Sequence, residues 1–291
     1  MAAFQIAVRH MSPSVAVDPA HEQIARVFNL VAGDYDSPAL RFFPFCADRL
    51  VARLNPAPGE KILDVATGTG AVALGLAQAV GPAGRVTGID LAEAMLERLT
   101  RKIEKFGIAN VDLHVMDAAT LDFRRDYFHH VTCSFGLFFL RDMAAALKEW
   151  VRVTRPGGSV MFTAFGPLAF EPMRRLLRER LQSEGVDMAS AVQVASRQLA
   201  DADFCRTLLS NAGLTPVTVE IEQLGYHLRN ADNWWEIVWG SGFRGLVERI
   251  APERRAAFRA AHLAELVPLM TDKGLWLDVE TIFAAGTKPE V

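Results

Sequence analysis

The spacing of apolar residues changes character along the chain and marks its elements. From Ala20 to about Leu54 they recur at helical intervals (Ile24, Val27, Phe28 and Val31, then Leu40, Phe43 and Leu50), with a turn at Gly33-Asp34-Tyr35-Asp36-Ser37-Pro38. After Pro56-Ala57-Pro58-Gly59 the texture becomes short apolar runs between amphipathic stretches. Lys61-Ile62-Leu63-Asp64-Val65-Ala66 predicts a buried strand, 71–80 a helix stopped by Gly81, 85–90 a second strand, and 91–106 a helix ended by Gly107. Val111, Leu113 and Val115 alternate as a third strand running to Met116-Asp117-Ala118, and residues 130–135 and 159–165 read as a fourth and fifth. Between those two, Asp142 is the expected N-cap of a helix, and Arg155-Pro156-Gly157-Gly158 a type II turn. After Gly166 the pattern is helical through Met173, Leu176, Leu177 and Leu181 and then less regular; 203–211 reads as a helix leading to a strand at 214–219, 231–271 as helical, and 275–284 as a last strand. Strand–helix alternation at this pitch predicts an α/β fold, a doubly wound parallel sheet with helices on both faces.

Composition narrows the class. The 291 residues are 51% hydrophobic and 22% charged, enough apolar surface for a large core, which excludes disorder. Net charge is −3, so the chain exerts no long-range pull on a polyphosphate, and nucleic acid is not expected as a partner. Cys46, Cys133 and Cys205 are odd in number and far apart, which suits a reducing compartment rather than a disulfide framework. No apolar run reaches the ~18 residues of a membrane span, and Arg9-His10 precede no apolar leader segment, so a cytoplasmic protein is expected. Residues 1–57 divide into a mobile leader, over about the first 20, and a helical cap; 58–291 form the main domain.

The chemistry concentrates between Asp64 and Asp117. Gly68-Thr69-Gly70-Ala71-Val72-Ala73 fits G-x-G-x-x-A at a strand–helix junction, and Asp90 ends the next strand 20 residues after Gly70. These are the parts of a dinucleotide or adenosine site: glycines admit the ligand to the backbone, a helix N-terminus offers free N–H groups, and the acid bridges two ribose hydroxyls. Asp64 discriminates between cofactors. A carboxylate before the turn repels a pyrophosphate but attracts the sulfonium and ammonium of S-adenosylmethionine; alternatively it only caps the turn. Asp117 is placed to accept from an adenine amino group, with the Ala118 N–H facing the ring.

Asp64-Val-Ala-Thr-Gly-Thr-Gly70, Gly88-Ile-Asp90, Met116-Asp117-Ala118 and Arg155-Pro-Gly-Gly158 resemble the motif series of class I S-adenosylmethionine-dependent methyltransferases over residues 58–165. Within them the chain is similar to the ubiquinone/menaquinone-biosynthesis C-methyltransferases, through residues 27–32 with Tyr35-Asp36 and through Ser134-Phe135-Gly136-Leu137. In that family a basic residue and an amide stand where this chain has Phe138-Phe139. The resemblance implies a Rossmann-like sheet of seven strands, mostly parallel with the last antiparallel. It implies S-adenosyl-L-methionine as cofactor, held by Tyr35, Asp64, Ala66, Thr67, Gly68, Gly70, Asp90, Leu91, Met95, Asp117, Ala118 and Ser134.

Ligands of open parallel sheets bind beyond the carboxyl ends of the strands, so insertions at about 167–200 and 226–271 should form a lid over the transferred methyl. Phe138, Phe139, Trp234, Trp235 and Trp239 are the expected substrate pocket, suited to a small apolar or aromatic acceptor such as a quinone-type ring carbon. The expected general base is His227, ahead of His10 and His21; His114, His129 and His130 read as structural. No His/Cys/Asp cluster has ligand spacing, so no metal is predicted. A homodimer is allowed and no stable membrane insertion is expected. Two alternatives stay open: a nicotinamide-dependent oxidoreductase, and a catalytically inactive cofactor-binding protein of the same fold.

Overall fold

The structure is a computed structural model that describes residues 9–10, 19–187 and 191–290. Most of the leader read from the sequence, 1–8 and 11–18, lies outside the described residues. The elements in chain order begin with β1 (Arg9–His10), α1 (Pro19–Val31), α2 (Phe42–Leu54), β2 (Lys61–Val65), α3 (Ala71–Val80), β3 (Arg85–Asp90), α4 (Glu93–Phe106) and β4 (Val111–Val115). Then come β5 (Phe128–Ser134), α5 (Met143–Val153), β6 (Thr154–Phe165), α6 (Met173–Ser183), α7 (Ala191–Leu199), α8 (Ala202–Asn211) and β7 (Val217–Gln223). The chain finishes with β8 (Tyr226–Leu228), α9 (Ala231–Trp239), α10 (Arg244–Val247), α11 (Pro252–Leu266), β9 (Leu275–Leu277) and β10 (Glu280–Thr287).

The main sheet has the order β1-β4-β3-β2-β5-β6-β10-β7. Seven strands form the expected sheet, with β10 antiparallel to both β6 and β7, and the two-residue β1 adds an eighth, parallel to β4. Strand order reverses between β2 and β5, and that switch point is where an open sheet leaves its crevice. Burial on both faces explains the unbroken apolar texture of the strands. Leu63 and Val65 of β2 face a core shared with Trp150 of α5 and Leu209 of α8, while Ile62 faces one with Leu50, Leu76 and Ile103.

Several local expectations hold for physical reasons visible here. Asp142 caps α5 by accepting the Ala145 N–H, Gly107 ends α4 in the left-handed region, and Gly157 has φ +73° in the Pro-Gly-Gly turn, which bulges between β5 and β6. Two strand readings move. The sixth strand is 217–223 rather than 214–219. The last is divided: Leu275–Leu277 pairs with β8 in a separate two-stranded sheet, and only Glu280–Thr287 joins the main sheet. A third core gathers the chain around this small sheet: Leu40 and Phe42 from the N-terminal region, Phe170, Met173 and Leu177, and Trp234, Val247, Phe258 and Leu266.

Candidate active site

The carboxyl ends of β2, β3 and β4 lie side by side, and each delivers one acid or turn. After β2, Ala66 and Gly68 adopt φ +52° and +55°, and Gly70, with φ +89°, is the N-cap of α3. A Cβ on Gly70 would overlap Leu99 Cδ1, so this glycine is fixed by packing as well as by conformation. Asp64 is 1% exposed and already satisfied: Thr67 Oγ1 donates to Oδ2 at 2.6 Å and Thr132 Oγ1 to Oδ1 at 2.8 Å. Burial pushes its carboxyl up to about 6, with the nearby Asp90 charge adding to the rise and the two hydroxyls opposing it. Both readings of Asp64 are therefore compatible: it organises the turn, and it stores negative charge beneath it.

Asp90 ends β3, and its carboxylate accepts the Gly68 N–H at 2.9 Å and the Ala92 N–H at 2.8 Å, tying the second strand end to the glycine turn. Burial raises its pKa while these backbone donors and the Leu91 N–H pull the other way. Met95 is buried against Val31 and Ala32 of the cap. Beyond β4, Asp117 accepts the Ala119 N–H at 2.8 Å, and the Ala118 carbonyl accepts from the Trp150 indole at 2.8 Å, which fixes this corner. Ser134 ends β5, its hydroxyl 3.0 Å from that of Thr163 on β6.

The cap closes over these ends. Tyr35 approaches Gly68, and burial with Asp90 and Asp36 nearby raises its hydroxyl far above the usual range, so it stays a neutral donor. Asp36 accepts from Thr69 Oγ1 at 2.7 Å and from Lys102 at 2.8 Å, and Lys102 also donates to the Thr69 carbonyl. Asn29 accepts the Ala94 N–H at the start of α4. Nothing in the sequence spacing marks the Asp36–Thr69–Lys102 contact, because its three members come from separate elements.

Beside the turn, seven aromatic rings form a closed circuit of neighbours. Phe28 meets Tyr35 (6.2 Å between centroids), Tyr35 stacks on Phe43 (4.8 Å), Phe43 meets Phe135 (5.8 Å), and Phe135 stacks on Phe165 (4.1 Å). Phe165 meets Phe138 (6.2 Å), Phe138 meets Phe139 (4.6 Å), and Phe139 returns to Phe28 (5.1 Å). Phe135 holds φ +54°, a costly conformation for a residue with a Cβ, and one that clusters at functional sites. The sequence singled out Phe138 and Phe139 of this circuit. Phe28, Phe43, Phe135 and Phe165 were not singled out, since apolar residues at helical or strand spacing read as core.

Five expected residues sit elsewhere. His227 is not brought to the turn. In β8, Tyr226 and Leu228 point inward, Tyr226 donating its hydroxyl to the Ala39 carbonyl, and the strand's period of two turns His227 to the other face, edge-on to the exposed Trp276. Trp234 is fully buried, its indole donating to His262 Nε2 at 2.9 Å, so it packs the insertion's own core. Trp235 and Trp239 stack and line an outer cleft of about 500 Å³ with Asp34, Ser37 and Arg259. His10, on β1 at the sheet edge, pairs with Val115.

Comparison with known proteins gives these parts a lineage. The ubiE/COQ5 methyltransferase family matches residues 17–225, well over half of the chain. The nocamycin O-methyltransferase of Saccharothrix syringae is 30% identical over 252 residues, covering 82% of this chain and 89% of that one. The demethylmenaquinone methyltransferase of Geobacillus kaustophilus is 30% identical over 213 residues, covering 68% and 91%. Among solved structures, a phosphoethanolamine N-methyltransferase 2 of Haemonchus contortus shares the fold with a TM-score of 0.57 at 17% identity, over 96% of this chain and 62% of that one. Neither the oxidoreductase nor the inactive binding protein finds support in these likenesses. The chain belongs to the ubiE/COQ5 methyltransferase family and is an S-adenosylmethionine-dependent methyltransferase.

Proposed function

We propose that the enzyme methylates a planar, largely apolar small molecule held against the aromatic circuit beside the glycine turn. The circuit is the observation that carries this reading: five of its rings (Phe28, Tyr35, Phe43, Phe139 and Phe165) stay partly exposed although surrounded by apolar neighbours. Aromatic walls favour flat ligands through stacking and edge contacts. Asp90 takes the ribose hydroxyls. Ala66, Thr67, Gly68, Gly70 and Tyr35 surround the methionine end, over the charge of Asp64. Leu91, Met95, Asp117 and Ala118 flank the adenine, and Ser134 faces the transfer site. A buried acid that both raises its own pKa and fits a cationic ligand supports the cofactor assignment independently of any relative.

The bound cofactor supplies an electrophilic methyl on a sulfonium. What remains for the chain is to align the acceptor, exclude water and leave the accepting atom ionised. With His227 turned outward, an acceptor whose own hydroxyl ionises readily, a hydroquinone or an enol, suits the site.

Carbon and oxygen acceptors both find support. Relatives named as ubiquinone/menaquinone biosynthesis C-methyltransferases favour a quinone-type ring carbon. The family match stops at residue 225, whereas the nocamycin O-methyltransferase match covers 82% of the chain and so continues beyond that residue. That O-methylating relative favours an enolic or phenolic oxygen. Release of S-adenosylhomocysteine with naphthohydroquinones, enolic diketones and hydrophilic amines, each product analysed by mass spectrometry, tests the proposal. Turnover confined to the flat hydroxylated acceptors is expected; turnover confined to the amines refutes it.

A further inference from the structure

Helix α1 and the turn after it cross three strand ends in sequence order. His21 meets Asp117 beyond β4, Asn29 meets Ala94 beyond β3, and Asp36 meets Thr69 beyond β2. Eight residues of helix between His21 and Asn29 rise about 12 Å, comparable with the ~10 Å between β4 and β2. Asp117, proposed above to flank the adenine, stands at the His21 end of this crossing, and the glycine turn proposed for the methionine end stands at the Asp36 end.

At that end Asp117 is engaged twice. Oδ1 accepts the Ala119 N–H at 2.8 Å, and Oδ2 lies 2.9 Å from His21 Nδ1. A carboxylate only accepts, so a neutral His21 ring carries its proton on Nδ1 and presents Nε2 as a lone pair. The His21 side chain is 9% exposed, and Nε2 is buried with no hydrogen-bond partner among the described residues. A buried acceptor without a donor is costly and calls for a ligand, water or ion.

We propose that His21 Nε2 accepts a hydrogen bond from the 6-amino group of the cofactor's adenine, and that Asp117 is a positioning residue that sets the His21 tautomer. The proposal rests on the adenosine site described above but moves base recognition from Asp117 to the cap. The cap helix thereby senses which base lies beneath it.

Calorimetric titration with S-adenosylhomocysteine and with S-inosylhomocysteine, whose 6-position is a carbonyl oxygen, tests this. The wild-type enzyme should prefer the adenosyl ligand by about tenfold or more, the loss expected when a buried lone pair faces an acceptor. His21→Ala should weaken adenosyl binding by about that factor and leave the inosyl ligand nearly unchanged, so the ratio falls toward one. Asp117→Asn gives the sharper result. Its Oδ1 must still take the Ala119 N–H, so its amide NH₂ faces His21 Nδ1, the proton moves to Nε2, and the preference shifts toward the inosyl ligand. An adenosyl-to-inosyl ratio the same in wild type, His21→Ala and Asp117→Asn overturns the proposal while leaving the cofactor assignment intact. Failure of the wild type to bind S-adenosylhomocysteine at all overturns both. Should His21→Ala lose its helical circular dichroism, the Asp117→Asn ratio decides.

Discussion

Asp64 is an acid kept where water does not reach, with its pKa pushed up to about 6 from the ordinary 3.8. Its folded value exceeds its unfolded one, so the stabilising contribution is full below about pH 4 and is lost as pH rises through 6; at pH 7 the ionised form destabilises by roughly 3 kcal/mol. Asp64→Asn should therefore raise the urea midpoint at pH 7, with the gain vanishing near pH 4, and at the same time weaken cofactor binding. Equal midpoints for the two proteins at pH 7 would show that the buried charge is not destabilising. His262 works with the opposite sign. It is fully buried, its Nε2 receives the Trp234 indole N–H, Nδ1 faces Glu265, which pairs with Arg180, and burial lowers its pKa. Its contribution is complete above the free value near 6.5 and drains as pH falls toward the lower folded value. His262→Gln, which can still accept from the indole, should flatten the fall of the wild-type midpoint as pH drops below 6.5; an unchanged slope would move the acid sensitivity elsewhere. Of these groups Asp64, Asp90 and the glycines were legible, because motif spacing encodes them. His262 was not, being a lone histidine whose partner lies 28 residues away in sequence.

Between residue and fold stand the cap and the second insertion. The Asp36–Thr69–Lys102 contact is partly exposed, so it contributes little to global stability, about 0–1 kcal/mol, yet it holds the cap turn on the glycine loop. Asp36→Ala should leave the thermal midpoint within about 2 °C while speeding S-adenosylhomocysteine release several-fold in stopped-flow displacement; unchanged release would mean that the turn does not gate the site. Trp234 and Trp239 divide the insertion differently from the sequence reading. Trp234→Ala should destabilise by about 3–5 kcal/mol, since it empties a buried indole site and orphans His262, whereas Trp239→Ala, at a half-exposed cleft, should be nearly neutral. Denaturant melts of both separate them, and a mild Trp234→Ala would deny the insertion a core of its own. Helical periodicity could place these tryptophans on a helix but could not say which side is inward, because the insertion is wrapped by apolar partners on more than one face.

At the level of the whole molecule, a ligand that binds only the folded chain raises its midpoint by mass action. S-adenosylhomocysteine at 100 times its dissociation constant should add about 2.7 kcal/mol, some 5–10 °C for a chain of this size, and NAD should add nothing. A midpoint raised by NAD alone would undo the cofactor assignment. The sheet itself was legible because every βα unit announces itself twice, by an apolar run and by a Gly or Asp at its end. The division of the last strand was not, since Leu275 through Ala284 is one apolar-rich segment whose two halves differ only in their partners, β8 for one and β6 and β7 for the other. That small β8–β9 ladder has a consequence for how the enzyme changes over generations. It fastens the two feet of the second insertion to each other before the chain re-enters the sheet, at the ~5 Å spacing of paired strands. A segment replacing residues 229–274 does not need to match the sheet, only the two feet, and doubling its length adds only about 0.6 kcal/mol of closure entropy. The insertion can thus be exchanged as a cassette, while the main sheet keeps its sequence and its geometry.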